Sequence, residues 1–405
     1  MSLEITRRFN VVDTVTSLID GERVPARSGT HRIPIINPTN EQVLSHLQEA
    51  DAAEVSAAVV SARRAFDHGP WPRMDITERN DILYSIRDHL RKNAEELAYL
   101  ECLNTGLPLL SVRRHVDRMA RNFEFFAEVA STTHGETYTQ SKGYVTYVSR
   151  EPRGVAGCIA PWNAPLSLAS MRVATCIPFG NTCVLKPSEY TPLSMLRMVE
   201  IFHEAGLPPG VVNLVNGRGQ ITGDALVNHA GVDMIGFTGG TGTGRAIAAT
   251  AGRNLKPVAL ELGGKSANII CDTADVERAL DGALAGIYGN NGQACLAGSR
   301  ILVQRYGPQA HPDRLFSLRC TELSSLLELA QGSDTVVVAV RAAAPQLAEL
   351  PMSPPLEAWA RFGLVTLHFG IAGGTLRFVA LRPDEARTIR DQVMAAVAPV
   401  DFSEI

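Results

Sequence analysis

Long apolar runs are missing from this 405-residue chain. No stretch approaches the ~20 apolar residues that cross a bilayer, and residues 1–16 lack the apolar core of a secretory signal. An excess of basic residues is missing too: 38 Lys and Arg stand against 42 Asp and Glu, and the net charge is −4. The sequence therefore predicts neither a nucleic-acid partner nor a membrane partner.

Cysteine is scarce and scattered. The seven cysteines are an odd number and show no metal-ligand spacing, so we predict no disulfide framework and no metal. Reduced thiols favour a cytoplasmic location, and one of them can still be reactive. The length is sufficient for two or three domains with a sizeable core.

The pattern of apolar residues changes twice along the chain. Residues 51–130 carry them at helical spacing, for example at Ile82, Ile86 and Leu90, and are predicted to be helical. Residues 132–152 are rich in Tyr and Val around Lys142-Gly143, which predicts a hairpin.

From Val155 onwards, short apolar runs alternate with helical patterns. This rhythm predicts an α/β fold with a doubly wound parallel sheet. The runs occupy residues 155–159, 183–185, 211–215, 234–237, 258–260 and 267–270.

The pattern of apolar residues and prolines changes again in residues 307–405 and predicts an α+β segment. A Leu-rich stretch at 315–329 has helical spacing, and Pro383 opens a last helix. Strands are predicted at 335–340 and in a hairpin formed by 364–369 and 376–381.

Cys295 has the most informative surroundings of the cysteines. It follows a polar turn, 290–293, which itself follows the helical pattern Val276–Tyr288. Such a turn exposes a side chain, whereas most free cysteines are buried small hydrophobes. This context favours a nucleophile.

Two polar side chains follow predicted strands. Glu261 ends the run 258–260, where ligands bind in open parallel sheets. Partial burial there would suit a general base; a solvated glutamate is the alternative. Asn163 follows the run 155–159, and its carboxamide can donate to a developing oxyanion. An ordinary turn asparagine is the alternative there.

Lys186 and Glu189 follow the run 183–185. They can bond to ribose hydroxyls, or they can form a surface ion pair. A carboxylate at an adenosine ribose would disfavour a 2′-phosphate through like-charge repulsion.

A glycine-rich segment, 238–244, follows the run 234–237 and precedes a helix predicted at 245–251. Its backbone N–H groups suit a phosphate. It does not match the dinucleotide fingerprint in any register, and a plain tight turn is the alternative.

In this order and at these separations, the motifs together resemble the aldehyde dehydrogenase superfamily. The motifs are Pro161-Trp162-Asn163-Ala164-Pro165, residues 184–189, 238–244, 261–265 and 290–300. The resemblance covers residues 15–305 approximately. It implies NAD as the cofactor and an aldehyde as the small-molecule substrate.

The resemblance also implies the role of each site residue. Cys295 is the nucleophile, Glu261 the general base and Asn163 an oxyanion donor. The implied cofactor-binding residues are Trp162, Lys186, Ser188, Glu189, Gly239, Gly240, Thr241, Gly244 and Leu262.

The domain organisation implied by the resemblance has four parts. An NAD-binding domain comprises residues 1–131 and 153–262, and an oligomerisation hairpin comprises 132–152. Residues 263–306 begin a catalytic α/β domain, and 307–405 form an atypical C-terminal segment. Members of the family are homo-oligomers.

Several positions depart from the family pattern. Gly240 stands where Ser is usual, Arg172 where Lys is usual, and Met171 where Trp is common. The family's Glu-Ile-Phe-Gly-Pro and Pro-Phe-Gly-Gly segments do not occur in this chain.

Two functions are compatible with these departures. One is an NAD-dependent aldehyde dehydrogenase in which an incomplete catalytic domain lowers the turnover and weakens the oligomer. The other is a non-catalytic nucleotide-binding remnant, or a fusion protein in which residues 307–405 supply a binding function.

Overall fold

Two units make up the described part of the chain. The computed structural model describes residues 9–29, 31–139, 142–271 and 273–303, and the backbone of 365–371 and 374–380. The first unit extends to Leu262 and the second begins at Gly263. Among the described helices, none combines the length and the apolar character that crossing a bilayer demands.

Short strands occupy the start of the first unit, where the sequence analysis assigned none. They are β1 (Thr14–Val15), β2 (Leu18–Ile19), β3 (Glu22–Arg23), β4 (Arg32–Ile36) and β5 (Val43–Gln48). A three-stranded sheet has the order β1-β5-β4. Strands β2 and β3 form a tight hairpin in which Asp20 and Gly21 have φ of 58° and 85°, the positive values that a primed turn requires.

The helices predicted within residues 51–130 are confirmed. They are α1 (Ala52–Asp67), α2 (Ile76–Lys92), α3 (Ala94–Thr105) and α4 (Leu109–Thr132). The side chains of Ile86 and Leu90 are fully buried, as their helical spacing predicts. Gly106 ends α3 with a φ of 68°, the left-handed conformation that favours glycine at a helix end.

The largest sheet of the first unit contains the strands predicted from Val155 onwards. These are β8 (Val155–Ile159), β9 (Thr182–Lys186), β10 (Val212–Leu214), β11 (Met234–Gly239) and β12 (Val258–Leu262). They alternate with helices α5 (Pro165–Ala174), α6 (Leu193–Glu204), α7 (Asp224–Asn228) and α8 (Thr241–Arg253).

The strand order of this sheet is β12-β11-β8-β9-β10-β2-β3. The five strands from β12 to β10 are parallel, as predicted, whereas β2 joins β10 in the antiparallel sense. The antiparallel edge escaped prediction because two-residue strands leave no apolar run in the sequence.

Helices cover both faces of the parallel strands. Along β8, Ala156 and Cys158 pack into the core formed with α2 to α6. Val155 and Ile159 pack into a second core with α1, α7 and α8. Successive side chains of a strand point to opposite faces, so the two cores confirm the doubly wound arrangement.

The start of α8 differs from the prediction. The sequence pattern predicted a helix from Arg245, but the helix begins at Thr241, and Gly244 N–H donates to the carbonyl of Gly240 at 2.9 Å. Glycine disfavours a helix interior by ~1 kcal/mol. The packing of Gly244 against Leu262 outweighs this preference.

The hairpin predicted within residues 132–152 is present. Its strands β6 (Glu136–Tyr138) and β7 (Thr146–Val148) are antiparallel. Tyr144 is 75% exposed and Tyr147 is 74% exposed. The oligomerisation role of this segment stays a prediction.

The second unit begins with strand β13 (Ala267–Ile270), helix α9 (Val276–Tyr288) and strand β14 (Arg300–Val303). Strands β13 and β14 pair in parallel, so β13-α9-β14 is a βαβ element. Strand β14 was not predicted.

An antiparallel pair, β15 (Val365–Ile371) and β16 (Gly374–Ala380), lies where the late hairpin was predicted, with slightly shifted bounds. The helices predicted at 315–329 and after Pro383, and the strand at 335–340, lie outside the described residues.

Trp71 links the helical layer to the sheet. It lies in a short 3-10 turn between α1 and α2 and is fully buried. Its indole Nε1–H donates to the carbonyl of Ile177 at 3.0 Å, just before β9.

Substituting Trp71→Phe should destabilise the first unit by about 2–4 kcal/mol. The smaller ring leaves a cavity, and the carbonyl of Ile177 loses its hydrogen-bond donor. The midpoint of urea unfolding, followed by circular dichroism, measures the loss. Trp162→Phe is the matched control, since this side chain is 43% exposed. Equal effects of the two substitutions would contradict the role assigned to Trp71.

Candidate functional site

The predicted site residues of the first unit lie at the carboxyl ends of adjacent parallel strands. Ile159 pairs with Lys186 between β8 and β9, and Gly239 pairs with Leu262 between β11 and β12. Parallel neighbours end at the same edge of a sheet. The sheet therefore brings the segments after β8, β9, β11 and β12 to one edge.

The order of the strands marks a particular place on this edge. The chain proceeds from β8 through β9 to β10 on one side, and then returns to β11 and β12 on the other. The direction of winding changes between β8 and β11. Open α/β sheets bind ligands in the crevice at such a switch point.

The N-terminus of α8 lies beside this switch point and suits an anion. Gly240 is the N-cap, no side chain caps the helix, and its first turn contains no acidic residue. A Cβ added at Gly240 or Gly242 would meet no heavy atom within 4 Å. The first turn of α8 thus has backbone N–H groups that a phosphate can approach.

Two other glycines of this segment are explained by packing. A Cβ at Gly239 would lie 2.5 Å from Cζ of Phe237, and a Cβ at Gly244 would lie 2.5 Å from Cδ2 of Leu262. Gly244 thus lets α8 approach Leu262 of β12 closely, and a larger residue at this position would force the leucine side chain to move.

The Asn163 loop (residues 160–164) connects β8 to α5. The side chain of Asn163 is half-buried, and Trp162 beside it is exposed. Pro165 occupies the first position of α5, where its missing N–H costs nothing. The loop therefore places Asn163 just after the end of β8, beside the switch point.

The Glu189 loop (residues 187–192) connects β9 to α6. Lys186 is buried, and its Nζ lies 3.0 Å from the carbonyl oxygen of Pro187 and 3.6 Å from Oε2 of Glu189. Burial lowers the pKa of Lys186, and the carboxylate of Glu189 acts in the opposite direction. Ser188 Oγ accepts the N–H of Tyr190 at 3.3 Å.

A neighbouring ion pair was not predicted from the sequence. Glu49 accepts from Arg218 Nε at 2.8 Å and from its Nη2 at 2.7 Å, and Arg218 lowers the pKa of Glu49. The segment after Arg218 brings Gly223 close to the Lys186 side chain. The partners are 169 residues apart, so no local pattern could have revealed the pair.

Glu261 lies at the predicted strand end, opposite Thr238 of β11, but its side chain is exposed. Of the two alternatives that the sequence left open, a partly buried base and a solvated glutamate, this exposure fits the second. Strand β12 is an edge strand of its sheet, which explains the exposure. Glu261 remains a candidate general base because it lies at the carboxyl end of β12, and not because it is buried.

Arg172 has a role that the sequence analysis missed. Its Nη2 donates to the carbonyl of Phe237 at 3.0 Å and to Oγ1 of Thr238 at 2.9 Å. Burial lowers the pKa of Arg172. The guanidinium thus fixes the last residues of β11 before the turn into α8. The only signal in the sequence was an arginine where the family usually has lysine.

Cys295 belongs to the second unit and lies in the loop between α9 and β14, where it is exposed, as the polar turn predicts. Asn290 and Asn291 both have a φ of 57°, and Gly292 has a φ of 72°. Consecutive left-handed residues are unfavourable for side chains other than Asn and Gly. The sequence Asn-Asn-Gly therefore permits the turn that exposes the thiol.

Gly264 allows the Cys295 loop to approach the start of β13. A Cβ at Gly264 would lie 2.6 Å from the carbonyl oxygen of Cys295. Arg300 Nε donates to the carbonyl of Lys265 at 2.8 Å and further ties the two segments. The close approach of the Cys295 carbonyl therefore explains why position 264 is a glycine.

The first unit thus brings the predicted cofactor residues, Asn163 and Glu261 to one sheet edge, and the second unit contains Cys295. Among the described residues, no group of three His, Cys, Asp or Glu side chains could hold a metal ion.

Comparisons with known proteins agree on one family. The model described as "Aldehyde dehydrogenase family" matches residues 24–315. A mitochondrial aldehyde dehydrogenase of Arabidopsis thaliana, family 2 member B4, is 43% identical over 288 residues, which are 71% of this chain and 53% of that protein. Betaine aldehyde dehydrogenase of Bacillus subtilis is 42% identical over 290 residues, 71% of this chain and 59% of the relative.

The fold agrees with solved structures as well. An NAD+ complex of aldehyde dehydrogenase from Bacillus cereus matches with a TM-score of 0.71 and 39% identity, over 80% of this chain and 63% of that one. The chain therefore spans between half and two thirds of the length of these relatives. With a family match that covers most of its length, the chain belongs to the aldehyde dehydrogenase family.

Proposed function

We propose that the chain binds NAD at the sheet edge of its first unit and oxidises an aldehyde to a carboxylate through a thioester at Cys295. The observation that carries the proposal is the edge itself. A helix N-terminus without a side-chain cap and the Lys186–Glu189 pair follow parallel strands on either side of a switch point.

The residues present fit a dinucleotide. The first turn of α8, with Gly240 and Thr241, would hold the pyrophosphate through backbone N–H groups. Lys186 and Glu189, with Ser188 beside them, would hold the adenosine ribose. The carboxylate of Glu189 favours a ribose with free hydroxyls over one with a 2′-phosphate. Trp162 would flank the cofactor from the Asn163 loop.

The chemistry divides among three side chains. The Cys295 thiolate adds to the aldehyde carbon, and the Asn163 carboxamide, with the Cys295 N–H, stabilises the resulting oxyanion. Bound NAD supplies the acceptor for the hydride that leaves that carbon. Glu261 then takes a proton from the water that cleaves the thioester, which releases the carboxylate and restores the thiol.

The substrate is proposed only as an aldehyde. Relatives are named for substrates as different as betaine aldehyde and retinal, so family membership does not select one. The exposed tyrosines of hairpin β6–β7 support a second copy of this chain as a partner, as the family resemblance implies.

A second candidate is nucleotide binding without turnover. It requires only the first unit, since the proposed cofactor residues all precede Gly263. The family's Glu-Ile-Phe-Gly-Pro segment, which by resemblance holds the nicotinamide ribose, does not occur in the chain.

Calorimetric titration with NAD, followed by assays of NADH formation with several aldehydes, tests the proposal. We expect measurable NAD binding and aldehyde-dependent NADH formation. The turnover should be slower than in a full-length relative by ~10²-fold, because misplacement of a reacting group by about 1 Å has that effect. Binding without any NADH would favour the second candidate. Absence of binding would contradict both.

Cys295→Ala should abolish acylation by p-nitrophenyl acetate, because the nucleophile is removed, and should leave NAD affinity unchanged. The burst of p-nitrophenol measures acylation without any cofactor. Cys271→Ala is the matched control, since Cys271 is an exposed cysteine of the same unit. A burst that survives the first substitution, or disappears with the second, would refute the assignment.

Glu189→Ala should weaken NAD binding and narrow the preference for NAD over NADP roughly tenfold, because the charge that repels a 2′-phosphate is lost. Parallel titrations with both cofactors give the ratio. Glu204→Ala serves as the control, since Glu204 forms its ion pair with Arg197 at the far end of α6. An unchanged ratio in the Glu189 variant would remove this residue from the ribose site.

A further inference from the structure

Glu101 is a carboxylate in the interior of the first unit. It lies on α3 and is fully buried. Its oxygens accept the Leu166 N–H at 3.1 and 3.3 Å, and Oε2 accepts the Ser194 hydroxyl at 2.7 Å. A buried carboxylate is costly unless hydrogen bonds compensate for its lost hydration, so the contacts on α5 and α6 define its role.

The contact with Leu166 supplies a cap that α5 lacks. Its N-cap residue, Ala164, has no side-chain acceptor, and Pro165 has no N–H. The first N–H of the helix is therefore that of Leu166, and Glu101, 65 residues earlier in the chain, accepts it. Since α5 begins two residues after Asn163, the carboxylate fixes the end of the Asn163 loop.

Asn104 makes the corresponding contact with the other loop. It lies one turn after Glu101 on the same side of α3. Its Oδ1 accepts the Leu193 N–H at 3.0 Å, and its Nδ2 donates to the carbonyl of Tyr190 at 3.2 Å. One carboxamide thus holds the Glu189 loop at its middle and at its junction with α6.

We propose that Glu101 and Asn104 are separate positioning residues on α3: Glu101 sets the Asn163 loop for stabilisation of the oxyanion, and Asn104 sets the Glu189 loop for the adenosine ribose. The functional half of this inference rests on the function proposed above. Neither residue contacts a reacting atom, and each acts through a loop.

The protonation state of Glu101 gives the inference a direct test. Burial raises the pKa of Glu101 to about 7, against the hydrogen bonds from Ser194 and Leu166. Above this pH the ionised group accepts both donors strongly, and below it the neutral acid holds Leu166 less firmly. Ordering of the Asn163 loop should therefore increase as the pH rises through about 7.

Two other titratable groups lie close to Glu101. Nδ1 of His115, on α4, lies 4.0 Å from Oε1 of Glu101, and burial, with Arg114 and Arg118, lowers the pKa of this histidine. Burial raises the pKa of Cys102, on α3 itself, to about 11. Helices α5 and α6 contribute the Leu166 N–H and the Ser194 hydroxyl.

The variants are Glu101→Gln and Asn104→Ala, with Glu95→Gln as a control. Glu95 is an exposed residue of the same helix, paired with Arg113, so the control makes the same chemical change at the surface. Folding raises the pKa of Glu101, so its ionisation opposes folding as the pH rises to about 7. A neutral glutamine should therefore permit folding, and circular dichroism checks this.

Trp162 fluorescence reports on the Asn163 loop without any catalysis. For each chain, the signal is the difference from its Trp162→Phe counterpart, recorded as a function of pH. We expect a transition near pH 7 in the parent and in Glu95→Gln, and none in Glu101→Gln. A parent without the transition would overturn the role of Glu101, even if no variant could be purified.

The two positioning roles should separate in binding and acylation. ADP serves as the probe of nucleotide binding because it carries the adenosine ribose and the pyrophosphate of NAD. Glu101→Gln should slow acylation of Cys295 by p-nitrophenyl acetate about tenfold, with the affinity for ADP unchanged. Asn104→Ala should weaken ADP binding about tenfold, with acylation unchanged. Equal losses of both activities in both variants would show a merely structural role.

Failure of the proposed function would look different. A parent chain that neither binds ADP nor reacts with the ester would refute that function. The Trp162 transition, and its loss in Glu101→Gln alone, would still decide whether Glu101 orders the Asn163 loop.

Discussion

The parallel hydrogen bonding of β8 with β9 on one side and β11 on the other is the constraint on which the first unit depends. It forces three strands to end together, and every proposed cofactor residue except Leu262 lies at or just after one of those ends. Side chains on both faces of β8 are buried, so a shift in register would disturb two cores at once. Packing on both faces therefore fixes the strand ends, although some of the proposed residues, such as Trp162 and Glu189, lie in loops after them.

A feature could be predicted from the sequence when the residues that determine it lie close together along the chain. The strands from Val155 to Leu262 were predicted to within two residues, because five consecutive apolar runs are a local signal. The edge pair β2–β3 was missed because each strand has only two residues. The sequence left open whether Glu261 is buried or solvated, because this depends on which of the described strands forms the edge of the sheet.

The side chains that orient the proposed site, Glu101 and Arg172, could not be identified from the sequence because their partners lie far away along the chain. Glu101 bonds to residues 65 and 93 positions away, and Arg172 to residues 65 and 66 positions away. Nothing in their own neighbourhoods distinguishes them from ordinary helix residues. The residues proposed for the chemistry stand close to glycines or prolines and could be identified from the sequence, whereas the side chains that hold these segments in place could be identified only from the fold.

The Asn-Asn-Gly turn before Cys295 contains a thermolabile type of residue, asparagine. Glycine at position 292 permits the left-handed backbone, and with no side chain it also leaves its amide nitrogen unshielded from the carboxamide of Asn291. Attack of that nitrogen on the carboxamide expels ammonia and, after hydrolysis, leaves an acid, which is why asparagine is among the thermolabile residues. A neutral residue thereby becomes an anion four positions before the thiol, and a negative charge there disfavours the thiolate. The turn that exposes Cys295 therefore contains a residue whose deamidation would make the proposed nucleophile less reactive and would leave the first unit unchanged.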